Sequence, residues 1–111
     1  MGLSTHVLDT ALGQPGAGVG VLLDRTGATA GVWEQLGASV TDADGRAVLL
    51  EGVVPPGTYR VVFDTGGHDV ALGRTGLYPL VSVVLAVAEP AERLHVPLLL
   101  SPFGYTTYRG S

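Results

Sequence analysis

Arg93-Leu94-His95-Val96-Pro97-Leu98-Leu99-Leu100 alternates with a period of two. Leu94, Val96, Leu98 and Leu100 fall on one side, and Arg93, His95, Pro97 and Leu99 on the other. The first set is uniformly aliphatic, which marks a β-strand with that side on a core. His95 is therefore predicted to point outward, onto the face a lone β-sandwich shows to water. Leu99 shares that face. A face carrying both a His and a Leu suits a subunit contact that encloses a polar pocket.

Outward from this stretch, seventeen glycines and seven prolines punctuate short runs rich in Val, Leu, Thr and Tyr. Strands are predicted over Thr5–Asp9, Val19–Asp24, Val32–Thr41, Arg46–Leu50, Tyr59–Thr65, Val81–Ala88, Arg93–Leu100 and Tyr105–Tyr108. Turns are predicted at Gly13-Gln14-Pro15-Gly16, Asp42-Ala43-Asp44-Gly45, Pro55-Pro56-Gly57 and Ser101-Pro102. Regularly spaced short strands with such turns indicate an all-β sandwich or barrel. Asp44-Gly45, between two strand runs, is a hairpin signal. Gly66–Gly73 alone has helical spacing, enough for one or two turns. Trp33 is in register with Gln35 and Ser39 and opposite Val32, Leu36 and Val40, so it too is predicted to face outward.

With 111 residues the chain forms one domain, 1–111. Hydrophobic residues make up 46% and charged residues 14%, against about 25% charged in an average domain. So little charge leaves apolar surface to be covered, which predicts a homo-oligomer. The net charge is −4, and the six basic residues, all Arg, are scattered. That argues against a nucleic-acid partner. No cysteine is present, which excludes disulfides and thiolate metal sites. Met1–Asp9 lacks the charged start and apolar run of a secretory leader, and no apolar stretch is long enough to span a membrane. The expectation is a cytoplasmic protein.

Histidine is the side chain best suited to proton exchange near neutral pH. His6 and His95 each read alone as ordinary strand residues, and His68, in the helical segment, as a solvated one. Arg46 follows the Asp44-Gly45 turn. It is either an exposed turn-flanking Arg or a forked donor at a strand mouth, able to hold an oxyanion or a planar imide. The three His are too widely spaced for a zinc site. Asp42-Ala43-Asp44-Gly45 matches part of a calcium loop, but Val40 stands at the first ligand position. No nucleophile elbow, phosphate loop or dinucleotide fingerprint is present. Gly104-Tyr105-Thr106-Thr107-Tyr108-Arg109-Gly110-Ser111 reads as a strand with two aromatics in a place where chains commonly fray. It is either an edge strand or a segment pinned into a site.

Three motifs in order resemble the 5-hydroxyisourate hydrolases of the transthyretin-like family. They are Ser4-Thr5-His6-Val7-Leu8-Asp9-Thr10 with Gly13-Gln14-Pro15, Thr41-Asp42-Ala43-Asp44-Gly45-Arg46, and Leu94 through Ser111 with its closing Tyr108-Arg109-Gly110-Ser111. Tyr59–Gly66 also fits, so the resemblance spans essentially the whole chain. It implies a transthyretin-like (prealbumin-like) sandwich of two four-stranded sheets with one short helix. It further implies a homotetramer, a dimer of dimers with sites at the dimer–dimer interface. The implied reaction is hydrolysis of 5-hydroxyisourate to 2-oxo-4-hydroxy-4-carboxy-5-ureidoimidazoline in urate catabolism, without a cofactor or metal. His6, Arg46 and His95 are the implied catalytic residues, and Tyr108, Arg109, Gly110 and Ser111 the implied substrate-binding ones. One His would serve as base while the other orients the water or supplies the acid. The sequence departs from the family pattern at Leu80, at Arg93-Leu94 and at Phe103, all outside the catalytic set. Two other readings stand beside this one: a non-catalytic transthyretin-like binder of a small aromatic ligand, and a monomeric adhesion-type sandwich.

Overall fold

The computed structural model describes residues 2–27, 29 and 31–111; Met1, part of the stretch read above for a leader, lies outside them. The described strands are β1 (Gly2–Asp9), β2 (Gln14–Pro15), β3 (Gly20–Thr26), β4 (Trp33–Val40), β5 (Arg46–Glu51), β6 (Gly57–Phe63), β7 (Val81–Val87), β8 (Arg93–Ser101) and β9 (Gly104–Thr107). One helix, α1 (Thr65–Ala71), follows β6. One sheet runs β2-β1-β8-β9 with β5 also on β1; the other runs β4-β3-β6-β7. The two sheets pack as the sandwich that the alternation predicts. No helix among the described residues is long and apolar enough to cross a membrane.

The core is built from the alternating faces. β8 buries Leu94, Val96, Leu98 and Leu100, and β1 buries Leu3, Thr5, Val7 and Asp9. Opposite them stand Val21 and Leu23 of β3, Tyr59, Val61 and Phe63 of β6, and Val81 of β7. Burying each of the large aliphatic or aromatic side chains contributes roughly 1.5–3 kcal/mol. β1 and β8 run parallel, with Ser4 beside His95. β5 runs antiparallel on the other side of β1, with Arg46 beside His6. A central strand flanked by these two neighbours is what brings distant residues onto one outward face.

Four expectations are corrected by this arrangement. Gly13–Gly16 is not only a turn: Gln14 and Pro15 pair with Asp9 and Leu8 as a short fifth strand. Asp44-Gly45 does not close a hairpin, because β4 and β5 lie in different sheets. The turn instead carries the chain across the sandwich, with Gly45 at φ +78°, a left-handed conformation that favours glycine. Val32, Leu36 and Val40 are not core residues: they are 56%, 39% and 62% exposed. β4 is an edge strand, and its register on β3 shifts between Leu23 and Asp24, so a single alternation does not run through it. Trp33 is half-buried under the guanidinium of Arg60, 4.3 Å from its ring centroid, and Arg60 is in turn paired with Asp24.

The fourth correction concerns His68, which is not solvated. Its side chain is 8% exposed, and its Nε2 lies 2.8 Å from Asp9 Oδ2. Arg74 bonds the same carboxylate and also Asp69, at 2.7 and 2.8 Å. The backbone N–H groups of Ala11 and Leu12 donate to Asp9 Oδ1. Burial pushes the Asp9 carboxyl up, but hydrogen bonds from Arg74 and His68 outweigh it, and the acid is held below its ordinary range. α1 begins at Asp64, whose side chain accepts from the Gly67 N–H, an N-cap. It thereby delivers His68 and Asp69 onto the end of β1.

Candidate active site

A cleft of about 570 Å³ opens on the outward face of β5, β1 and β8. Its walls include Ser4, His6, Arg46, His95, Tyr108 and Ser111. The two histidines and the Arg come from three adjacent strands and meet because of the registers described above. Alternation alone predicts the outward orientation of His95. Pairing, which the sequence does not spell out, brings it to His6 and Arg46.

Each histidine has one ring nitrogen engaged. His6 Nε2 lies 2.8 Å from the Asp44 carbonyl oxygen. A carbonyl only accepts, so Nε2 carries the proton and donates it. The Asp44 carbonyl is presented by a turn that Asp42 ties: its Oδ1 accepts from the N–H groups of Asp44 and Arg46, at 2.9 Å each. Those two bonds, that of Arg46 foremost, hold the Asp42 acid below its ordinary range. The turn therefore fixes His6 and starts β5 at Arg46 in one piece. His95 Nδ1 lies 2.9 Å from Ser4 Oγ. Burial lowers the pKa of His95 first, and the positive charges of His6 and Arg46 lower it further. His95 therefore stays neutral, with a lone pair to offer, into mildly acidic solution.

The closing segment is pinned to the same histidine. The N–H of Gly110 donates to the His95 carbonyl at 2.8 Å, a one-residue bridge beyond β9. A Cβ at Gly110 would sit 2.6 Å from His95 Cδ2 and 3.2 Å from Pro97 Cγ. Only glycine lets the backbone lie flat against the imidazole edge. Tyr108, Gly110 and Ser111 therefore line the cleft, whereas Arg109, between them, turns to a separate groove beside β7. Within one chain, then, six of the seven residues marked in the sequence converge and Arg109 does not. Sequence reasoning missed Ser4, although its position two residues before His6 places it on the same face of the strand, and the role of Asp42, which it weighed as a turn residue and as part of a calcium loop but not as the residue that ties the turn under His6. Among the described residues no cluster of His, Asp or Glu has the makings of a metal site.

The description of the HIUase/Transthyretin family matches residues 3–110. The chain belongs to that family. A 5-hydroxyisourate hydrolase from Mus musculus is 45% identical, over 98% of this chain and 94% of its own length. The structure of Klebsiella pneumoniae 5-hydroxyisourate hydrolase superposes with a TM-score of 0.85 at 34% identity, covering both chains fully. Sea bream transthyretin in complex with thyroxine superposes with a TM-score of 0.91 at 34% identity, over 99% of this chain and 95% of its own. Within the HIUase/Transthyretin family the fold alone therefore does not separate hydrolase from carrier, and the cleft has to.

Proposed function

We propose that this chain hydrolyses 5-hydroxyisourate in urate catabolism, with His6, Arg46 and His95 as its catalytic residues. The observation that carries the proposal is the convergence of His6, Arg46 and His95, with no carboxylate in ion-pair contact with any of them among the described residues. Curated relatives named for this reaction, at 41–45% identity over nearly the whole chain, support it.

The reaction opens a cyclic amide. A water oxygen bonds to the carbonyl carbon and gives up a proton, the carbonyl oxygen becomes an oxyanion, and the C–N bond then breaks with a proton delivered to nitrogen. His95, kept neutral by its surroundings, takes the water's proton, a contribution of roughly 10²–10⁴-fold. Arg46 faces the oxyanion with donors that no protein carboxylate occupies. His6, with Nε2 on the Asp44 carbonyl, orients the water or returns the proton to nitrogen through Nδ1. Tyr108, Gly110 and Ser111 wall the substrate, and Arg109 belongs to the site only through assembly.

The proposal extends to a homotetramer, a dimer of dimers that closes the cleft. Val48 and Tyr108 beside the cleft are 51% and 53% exposed, apolar surface that a facing subunit would cover. Light scattering is expected to give four chains; a monomer would remove this part. The cytoplasmic expectation is tested by cell fractionation. For the reaction itself, 5-hydroxyisourate made in place by urate oxidase is expected to disappear faster with the protein than by its spontaneous decay. Decay at the unaided rate, with saturable binding of an aromatic ligand, would establish the non-catalytic carrier instead.

A further inference from the structure

We infer that Ser4 is the positioning residue of His95. Its Oγ accepts the Nδ1–H and so reserves the Nε2 lone pair for the attacking water. This rests on the reaction proposed above. Ser4 and His95 are direct neighbours in the parallel β1–β8 register, so both side chains leave the sheet on the same face, and their polar atoms stand 2.9 Å apart. One edge of the ring is covered by the closing segment, since Gly110 lies against Cδ2, while Nε2 is the ring nitrogen with no hydrogen-bond partner among the described residues.

A hydroxyl both donates and accepts, so the direction of this bond decides the chemistry. Were Ser4 to donate, Nδ1 would hold the lone pair under Ser4 and Nε2 would carry the proton. The ring would then offer water no base. With Ser4 accepting, Nδ1 keeps its proton in both the neutral ring and the imidazolium, and the bond persists through the whole cycle. The neutrality of the serine also matters. A carboxylate in its place would compensate the positive charge of the cleft and draw His95 toward its protonated form. Ser4 fixes the tautomer without cancelling the field that Arg46 supplies.

The test begins without substrate. ¹⁵N NMR of the His95 side chain in the intact protein near neutral pH is expected to show Nδ1 protonated and Nε2 bare. In Ser4→Ala the two tautomers should mix. With substrate, Ser4→Ala should lower kcat by about ten- to a hundredfold, the worth of one hydrogen bond to a group that becomes charged, with KM changed less. Loss of that bond removes an interaction stronger for the imidazolium, so the acid limb of kcat/KM should move to lower pH. Ser4→Thr, which retains the hydroxyl, should restore both. A bare Nδ1 in the wild-type protein, or wild-type kcat and pH profile in Ser4→Ala, would overturn the assignment. Absent turnover in the wild-type protein would instead remove the proposed reaction, and the tautomer measurement would still decide the role of Ser4 toward His95.

Discussion

Strand β1 feeds two polar clusters of opposite character. Its outward residues Ser4 and His6 enter the cleft with Arg46 and His95. Its inward residue Asp9, 1% exposed, ends in a closed network with His68, Arg74 and Asp69. Both clusters contain histidine and arginine. In the buried one, carboxylates meet His68 and Arg74. In the cleft, among the described residues, the histidine rings hydrogen-bond to a carbonyl and a hydroxyl and to no carboxylate. The buried cluster holds the helix and the end of β1 together, whereas the open one leaves Arg46 without a carboxylate partner among the described residues and one nitrogen of each histidine ring without a hydrogen bond. What separates structural from chemical use of the same residue types is where their donors are spent.

That contrast is sharpened most by Arg46→Gln, which should cost roughly 10²–10³ in turnover with little change in melting temperature; an equal loss of stability would place Arg46 in the structural class. The reverse is expected of Asp9→Asn. It removes the only carboxylate that His68 meets among the described residues and leaves Arg74 with Asp69 alone, and should lower unfolding stability by about 3 kcal/mol, as followed in urea. Gly110→Ala tests the link between the closing segment and His95. The added Cβ costs on the order of 1–3 kcal/mol of overpacking or lifts the segment off the ring, and either way turnover should fall; an unaffected rate would show that the contact is dispensable.

Smaller effects come from pH. The base must be neutral, and His95 is depressed from the ordinary histidine value, so the acid limb of kcat/KM should fall below about pH 6.5. A limb above that value would contradict the cause assigned to the depression. Asp9 behaves differently. Its folded pKa lies below its unfolded one, so its contribution is full above the unfolded value and is lost as pH falls through the folded one. The Asp9 contribution to stability should therefore be intact at every pH above the ordinary carboxylate range.

Much of this was legible in residue order. The alternation of Leu94–Leu100 located the core and turned His95 outward, and the three motifs marked His6, Arg46 and Tyr108–Ser111. What was not legible depends on which strands pair. Asp44-Gly45 looks the same to its neighbours whether it closes a hairpin or crosses between sheets. The apolar pattern of Val32, Leu36 and Val40 was undone by a register shift and by its place at a sheet edge. His68 reads as solvated because its partner Asp9 is 59 residues away, and Ser4 draws no reading of its own because His95 is 91 residues away.

The most direct test sets the two clusters side by side: initial rates on freshly generated 5-hydroxyisourate for His95→Asn and His68→Asn, each well below its melting temperature. His95→Asn is expected to melt like the wild-type protein yet consume substrate little faster than spontaneous decay. His68→Asn should melt lower and turn over at close to the wild-type rate. Wild-type turnover in His95→Asn, or loss of turnover in folded His68→Asn, would contradict it.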